Sequence, residues 1–405
     1  MNVSSGVAAF VLIVGAGVGG WALGRWKSSR QRALPAKFAS AEYFKGLNFL
    51  LNAEPDKAIE VFIRMAEVDS DTVETHFALG SLFRGRGEAD RAIRIHQNLI
   101  ARPNLSRQHR AEALYELAQD YLRAGLMDRA ESILLELLDA PSYTEQVLHS
   151  LVTLYEMQRD WEQAIAMRKR LESLTTEPEN KIIAQYYCEL AQTALLNQDL
   201  TEAQRYLKRA QSQDKDCVRA HLMLAQMAEN TSDWEESRRQ YRSVLEHEIR
   251  YATEVLPALA RIVRKQEGEA VFEERLHKLK DSNPKAARYI GLAAVMDDSL
   301  NDPLSRECVA EYLRTEPTLQ GLYQMHVALA ARHGEAASAD IEPLRVAVRN
   351  LMKAGPRYRC EECGFRSRTL YWQCPTCKTW DSTVPFHEVV LSGPGQNVHP
   401  KTAIS

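Results

Sequence analysis

Four cysteines near the end of the chain have the spacing of a metal site. Cys360 and Cys363 form one Cys-x2-Cys pair, and Cys374 and Cys377 form a second pair after ten intervening residues. Each pair turns the backbone so that two thiolates point at one position, and two such pairs complete a tetrahedral shell of four sulfurs. The spacing therefore predicts one bound metal ion, either zinc or iron.

A closed shell of this kind predicts a structural metal. Cysteine fills all four positions, so no coordination position is left for water or substrate. About 30 residues bury too little apolar surface to fold alone, so the metal is expected to stabilise a small domain over residues 356–388. Gly364 suits the left-handed turn after the first pair, and Lys378 holds the same place in the second. Aromatic residues around the ligands are expected to pack this domain against the rest of the chain: Tyr358, Phe365, Tyr371, Trp372 and Trp380.

The rest of the sequence carries no sign of catalysis. Cys188, Cys217 and Cys308 are scattered singly and are interpreted as small core residues in a reducing compartment. No nucleophile elbow, Walker loop or His-Glu-x-x-His motif is present, so we predict a protein that is not an enzyme. The net charge of −3 argues against nucleic acid as a partner. A nucleic-acid role stays a minor alternative for four arginines of the small domain, Arg357, Arg359, Arg366 and Arg368.

The elements that must position the cysteines are helices with a repeat of about 34 residues. Two small residues twelve positions apart recur six times, and successive first members lie 34, 38, 34, 39 and 34 residues apart. The six pairs are Gly46/Ala58, Gly80/Ala92, Ala118/Ala130, Val152/Ala164, Ala191/Ala203 and Ala225/Ser237. The pattern resembles the tetratricopeptide repeat, a helix–turn–helix unit whose stacked copies form a superhelix with a binding groove. We predict an array over residues 41–355, with six clear repeats to about residue 250 and degenerate repeats after that.

Turn residues and amphipathic spacing predict further features of the array. Turn residues stand between the paired helices at Gly87, Gly125, Asp160, Asp199 and Asp233. Beyond residue 250, amphipathic spacing predicts further helices over Glu254–Lys265, Ala270–Lys280, Lys285–Met296, Pro303–Arg314 and Leu319–Arg332, and a closing helix over Ile341–Ala354. The peptide-binding residues stay unassigned, because the candidate groove residues are also typical of packed cores: Tyr115, Tyr155, Arg159, Tyr186 and Tyr187.

The N-terminus predicts a membrane anchor. Val3 to Leu23 is a run of 21 residues without charge, about the length that crosses a bilayer as a helix. Basic residues follow from Arg25 to Lys37, which by the positive-inside rule keeps the bulk of the chain in the cytoplasm. We predict a transmembrane anchor over residues 1–24 and a basic linker over residues 25–40.

The glycines of this segment allow two further interpretations. Gly15 to Gly20 matches the Gly-x-Gly-x-x-Gly fingerprint of dinucleotide-binding folds, but no second strand or acidic residue follows about 20 positions on. Gly15 and Gly19 have the spacing that lets two membrane helices approach closely, which leaves a homodimer or docking through this face as an alternative.

The combination of anchor, helical array and four-cysteine domain resembles the lipopolysaccharide assembly protein B family of Gram-negative bacteria. The stretches Tyr358–Phe365 and Leu370–Cys377 look very similar to the end of that family's chains, whose cysteine domain is rubredoxin-like. The likeness covers nearly the whole chain except a tail, residues 389–405, that we expect to be disordered.

The resemblance implies a cytoplasm-facing adaptor in the bacterial inner membrane. It implies that the adaptor helps the membrane protease FtsH degrade the deacetylase LpxC, which restrains lipopolysaccharide synthesis. An inner-membrane regulator acting through the anchor and other lipopolysaccharide assembly proteins are further implied partners. Two alternatives remain, a general scaffold for lipopolysaccharide assembly enzymes and a rubredoxin-type electron carrier.

Overall fold

The computed structural model describes residues 36–52, 54–68, 73–140, 142–175, 178–297, 299–300, 302–315 and 356–386. The predicted anchor, most of the linker, the last two predicted helices and the tail lie outside these residues. The chain divides into two compact units, residues 1–160 and 161–405. Among the described helices, none is both long enough and apolar enough to cross a membrane.

The first unit consists of antiparallel helix pairs. Its helices are α1 (Ala36–Leu51), α2 (Pro55–Val68), α3 (Val73–Gly85), α4 (Ala89–Ile100), α5 (Arg107–Arg123), α6 (Met127–Leu137) and α7 (Thr144–Gln158). Each helix packs against the next one along the chain. The connections are a few residues long, as the predicted helix–turn–helix repeat requires.

The second unit continues with helices and ends in a small sheet. Its helices are α8 (Trp161–Leu174), α9 (Asn180–Leu196), α10 (Leu200–Gln213), α11 (Val218–Asn230), α12 (Trp234–His247), α13 (Ala252–Gln266), α14 (Glu269–Ser282), α15 (Ala286–Met296) and α16 (Pro303–Thr315). A short 3-10 helix, Ile249–Tyr251, precedes α13. The strands β1 (Tyr358–Cys360), β2 (Arg366–Ser367) and β3 (Thr383–Pro385) form an antiparallel sheet in the order β2-β1-β3. The helices predicted between residues 254 and 314 are confirmed.

The small residues of the predicted repeat are buried. All twelve members of the six pairs are buried, including the larger Val152, which is 3% exposed. A Cβ atom added at Gly46 would lie 2.7 Å from the Phe62 ring, and one at Gly80 would lie 2.4 Å from the His96 ring. The first small residue is therefore required because the side chain four positions after the second one presses onto it.

The turns between paired helices share one backbone conformation. The residue seven positions after the first small residue is left-handed in five repeats, with φ between 59° and 88°, at Gly87, Gly125, Arg159, Gln198 and Ser232. The next residue donates its backbone N–H back into the helix, as Asp199 does to the Ala194 carbonyl at 2.9 Å. The predicted markers Asp199 and Asp233 lie one position later, where their carboxylates accept the N–H of Glu202 and Glu236 and cap the second helix.

This shared turn leads to a paired stability prediction. A left-handed backbone costs a non-glycine residue about 1 kcal/mol, so Gln198→Gly is expected to raise the free energy of unfolding by about 0.5–1 kcal/mol. Gly125→Ala is expected to lower it by about 1 kcal/mol for the same reason. Neither change alters a packed contact, because no heavy atom lies within 4 Å of a Cβ at Gly125 and Gln198 is exposed. Denaturant titration followed by circular dichroism measures both, and equal signs for the two variants would contradict the assignment.

Candidate metal centre

The structure brings the four cysteine sulfurs to one point. All four Sγ atoms lie within 4.8 Å of one another. The Cys360 and Cys377 sulfurs are 3.7 Å apart, and the Cys363 and Cys374 sulfurs are 3.6 Å apart. A tetrahedron with metal–sulfur bonds of 2.3 Å has sulfur–sulfur edges of about 3.8 Å. The thiols therefore fit a tetrahedral zinc or iron ion.

The two cysteine pairs are held by matching backbone turns. In the first turn the Gly364 N–H donates to the Cys360 carbonyl at 3.0 Å, and the Cys360 N–H donates to the Phe365 carbonyl at 2.8 Å. In the second turn Lys378 and Cys374 repeat the two bonds at 2.9 Å each, the latter to Thr379. Gly364 and Lys378 are both left-handed, with φ of 74° and 62°. The second turn thus keeps the geometry although it lacks the glycine.

Hydrogen bonds around the sulfurs favour thiolates on one side of the shell. Burial raises the pKa of Cys360, but the Cys363 N–H, the Ser382 hydroxyl and the Glu362 N–H outweigh it and lower the pKa to about 6. Burial is likewise outweighed at Cys377, where the hydroxyl and N–H of Thr379 lower the pKa of the thiol. Cys363 is exposed on its outer side, yet desolvation within the sulfur cluster and bonds with neighbouring thiols raise its pKa to about 12. Such N–H donors orient and tune a metal's ligands.

Two tryptophans dock the cysteine ribbon, residues 356–386, onto helices of the second unit. Trp380 meets Trp161 and Tyr186 edge-on, with ring centroids 5.8 and 5.5 Å apart. Trp372 stacks on Tyr251 at 6.1 Å, and the Arg219 guanidinium lies 5.9 Å from its ring centroid. These contacts confirm the predicted aromatic packing for both tryptophans. Aromatic pairs of this geometry contribute about 0.5–1.5 kcal/mol each beyond the area they bury.

Polar bonds fix the orientation of the docked ribbon. The Tyr358 hydroxyl donates to Glu254 at 2.8 Å, and the Tyr251 hydroxyl donates to the Thr383 carbonyl at 3.1 Å. Arg250 forms an ion pair with Glu361 at 2.8 Å. Burial, followed by the charge of Glu254 and the hydrogen bond to it, raises the pKa of Tyr358. Phe365 and Tyr371 differ from the prediction, since their rings contact each other at 6.3 Å and Tyr371 is 42% exposed.

Comparison with known proteins agrees with this architecture. A family profile described as "Rubredoxin metal binding domain" matches residues 358–385, and tetratricopeptide repeat profiles match residues 75–111 and 188–251. The chain is 32% identical over 378 residues to lipopolysaccharide assembly protein B of Escherichia coli strain K12, covering 93% of this chain and 97% of that protein. The chain belongs to the lipopolysaccharide assembly protein B family. The Haemophilus influenzae protein of the same name is 29% identical, with the same coverage.

Two solved structures of other proteins give only weak similarity. A Naa15/Naa10 complex bound to HypK-THB aligns with a TM-score of 0.43 and 15% identity over 71% of this chain and 42% of that chain. MamA from Desulfovibrio magneticus RS-1 aligns with a TM-score of 0.34 and 17% identity over 45% of this chain and 98% of that chain. Neither alignment is close enough to add to the family assignment.

The remaining residues considered from sequence lie in different settings in this member of the lipopolysaccharide assembly protein B family. Cys188, Cys217 and Cys308 are buried, which confirms them as core residues. Tyr155, Tyr186 and Tyr187 are buried in helix packing, and Arg159 is a turn residue, so only Tyr115 lies half-exposed on a helix face. Sequence reasoning missed the residues that receive the ribbon, Trp161, Arg250, Tyr251 and Glu254, because nothing in the repeat pattern marks them.

Metal affinity in this family member is expected to rise with pH. The metal-bound shell carries four thiolates, whereas the free protein keeps Cys363 protonated at neutral pH because its pKa is about 12. Binding therefore releases at least one proton, so the affinity should increase at least about tenfold per pH unit between pH 6 and 8. Competition with a chromophoric chelator at two pH values measures this change. A pH-independent affinity would show that all four sulfurs are already ionised.

Proposed function

We propose that this chain is a non-enzymatic adaptor that regulates lipopolysaccharide synthesis at the bacterial inner membrane. The observation that carries the proposal is its similarity, over nearly its full length, to proteins named for lipopolysaccharide assembly. The four cysteines hold one zinc or iron ion whose role is to fold the ribbon. Ribbon and helices together form a binding surface for other proteins.

Two structural features support an adaptor over an enzyme. The four sulfurs close the coordination shell, so a metal there offers no position to a substrate. The helix pairs present long faces of the kind that repeat proteins use to hold peptides and other proteins. Neither feature requires bond-making chemistry from this chain.

The finer mechanism is tethering of a substrate beside a protease. Residues 1–24 anchor the chain in the membrane near FtsH, and the helical units and ribbon hold LpxC. Holding both partners in one complex raises their effective concentration, which accelerates degradation without a new catalytic group. The inner-membrane regulator opposes this action through the same anchor.

Exchange of the anchor tests this mechanism. Cells whose only copy lacks residues 1–24 are expected to degrade LpxC several-fold more slowly and to accumulate lipopolysaccharide. A control chain that carries an unrelated single membrane span in place of residues 1–24 separates tethering from specific contacts in the span. An unchanged LpxC half-life in the anchorless strain would exclude the tethering mechanism. Co-purification with lipopolysaccharide enzymes but not with FtsH would favour the scaffold alternative.

A further inference from the structure

The first unit carries an open face with a repeated residue pattern. The first helices of successive repeats contact each other, α3 with α5 and α5 with α7, whereas α4 and α6 make no contact of similar extent in the described chain. The free sides of α3 and α5 therefore line the inner side of this unit. Glu74 and Phe77 lie six and three positions before Gly80, and Glu112 and Tyr115 lie six and three positions before Ala118. These four residues form what we call the acidic aromatic face.

Within the described residues the two carboxylates of this face have no ion-pair partner, and one histidine lies near the face, since the ring centroid of His109 is 6.5 Å from that of Phe77. Glu74 is exposed and Glu112 is half-buried, and neither forms an ion pair within the described residues. The nearby Arg84 is already shared between Glu116 at 2.6 Å and Asp120 at 2.8 Å. Burial, together with the charges of Glu112 and Glu116, raises the pKa of Tyr143, whose ring lies 5.8 Å from that of Tyr115. Two carboxylates without an ion-pair partner among the described residues therefore lie beside half-buried aromatic rings.

The second unit shows what such a face can hold. Arg219 occupies the register position of Glu74 and Glu112, six residues before the small residue Ala225. It is 3% exposed and lies against the ring of Trp372 in the cysteine ribbon. Leu222, at the position of Phe77 and Tyr115, packs against the same core cluster as Trp372. Trp372 of the ribbon thus covers the first of these two positions in the second unit, while in the first unit that position carries the opposite charge.

We propose that the acidic aromatic face docks a lysine- or arginine-rich segment of a partner protein, with an aromatic or aliphatic side chain beside the basic ones. The carboxylates pair with the basic side chains, and Phe77 and Tyr115 receive the apolar one. An anionic membrane or a nucleic acid would be repelled by the same carboxylates. The inference rests on the proposed adaptor function and adds the chemistry of one partner.

Binding of a labelled peptide tests the proposal on the full chain in detergent. The probe is a fluorescein-labelled dodecapeptide of lysines with two tryptophans, and its counterpart has glutamate at every lysine position. We expect the wild-type chain to bind the lysine peptide at least tenfold more tightly than the glutamate peptide, and less tightly as salt is raised. Glu74→Gln with Glu112→Gln, and separately Tyr115→Ala, are expected to weaken binding of the lysine peptide about tenfold.

A matched control removes the same charge elsewhere. Glu60→Gln with Glu136→Gln changes two exposed carboxylates on the second helices α2 and α6 and is expected to leave the affinity unchanged. If both double variants lose the same affinity for the lysine peptide, the effect comes from the net charge of the chain and the proposal is overturned. Equal affinity of the wild-type chain for the two peptides would overturn it as well. The lipopolysaccharide content of cells distinguishes a failure of this proposal from a failure of the proposed adaptor function. If wild-type cells restrain lipopolysaccharide while the chain fails to discriminate the peptides, only the acidic aromatic face is excluded.

Discussion

Cys374→Ser is expected to abolish metal binding and to release the cysteine ribbon from the second unit. Cys374 is fully buried, and its sulfur lies 3.6 Å from that of Cys363, so a hydroxyl in its place leaves an incomplete shell. Structural zinc contributes on the order of 10–16 kcal/mol to small domains, which far exceeds what the aromatic contacts can replace. Metal analysis should show less than a tenth of the wild-type content. Tryptophan fluorescence should shift to the red as Trp372 and Trp380 become exposed.

The matched control for this change is Cys308→Ala. Cys308 is also fully buried but lies in α16, outside the sulfur cluster. We expect this variant to lose about 1–2 kcal/mol of stability from a small cavity while keeping its metal and its wild-type fluorescence. A Cys374→Ser protein that kept one metal ion and a docked ribbon would mean that three sulfurs suffice, and the structural role assigned to the closed shell would be wrong.

Gly80→Ala is expected to destabilise the first unit by about 3 kcal/mol. The added Cβ would lie 2.4 Å from Cε1 and 2.5 Å from Nε2 of His96. His96 cannot move aside cheaply, because its Nδ1 lies 2.5 Å from the Asp120 carboxylate and both side chains are fully buried. Asp120 in turn is bonded to Arg84 at 2.8 Å, so displacing His96 disturbs an ionic network between α3, α4 and α5.

Hydrogen exchange measured by mass spectrometry localises this effect. Peptides from α3 to α5 should lose protection by a factor of about 100, which corresponds to about 3 kcal/mol, while peptides from α13 and α14 serve as an internal reference. Gly85→Ala in the same helix is the control, since no heavy atom lies within 4 Å of its Cβ and alanine favours the helix. Unchanged protection in Gly80→Ala would mean that the helices separate at little cost, contrary to the close contact described.

The repeats could be predicted from the sequence because their small residues recur at a regular spacing. Where two helices cross closely, there is room for no side chain or for a single methyl group only. Small residues such as Gly46, Gly80 and Ala118 therefore recur at a fixed spacing that the sequence shows. Val152 obeyed the register although it is larger, and it is buried like the others. The four-cysteine site could also be predicted from the sequence, because only a few residue types bind a metal and the backbone turn sets their spacing.

Features that depend on contacts between distant residues have no such pattern in the sequence. Gln198 and Ser232 adopt the left-handed turn without glycine, because the bond from the next residue back into the helix holds them there. The docking of Trp380 on Trp161 and Tyr186 joins residues about 200 positions apart, and neither side carries a motif that names the other. The boundary between the two units at residue 160 falls inside one predicted repeat and could not be read from its pattern.

The ribbon follows the helices in the sequence, and this order has a consequence for synthesis. The two residues on which Trp380 docks, Trp161 and Tyr186, leave the ribosome long before Trp380 does. At about 5–20 residues per second the delay is about 10–40 seconds, during which two large rings that end up nearly hidden in the finished protein face water. Chains that stop short of the last cysteine keep this apolar surface uncovered permanently, which marks them for chaperones and proteases. The ribbon, residues 356–386, thus distinguishes chains whose aromatic docking site is covered from shorter chains in which it is not.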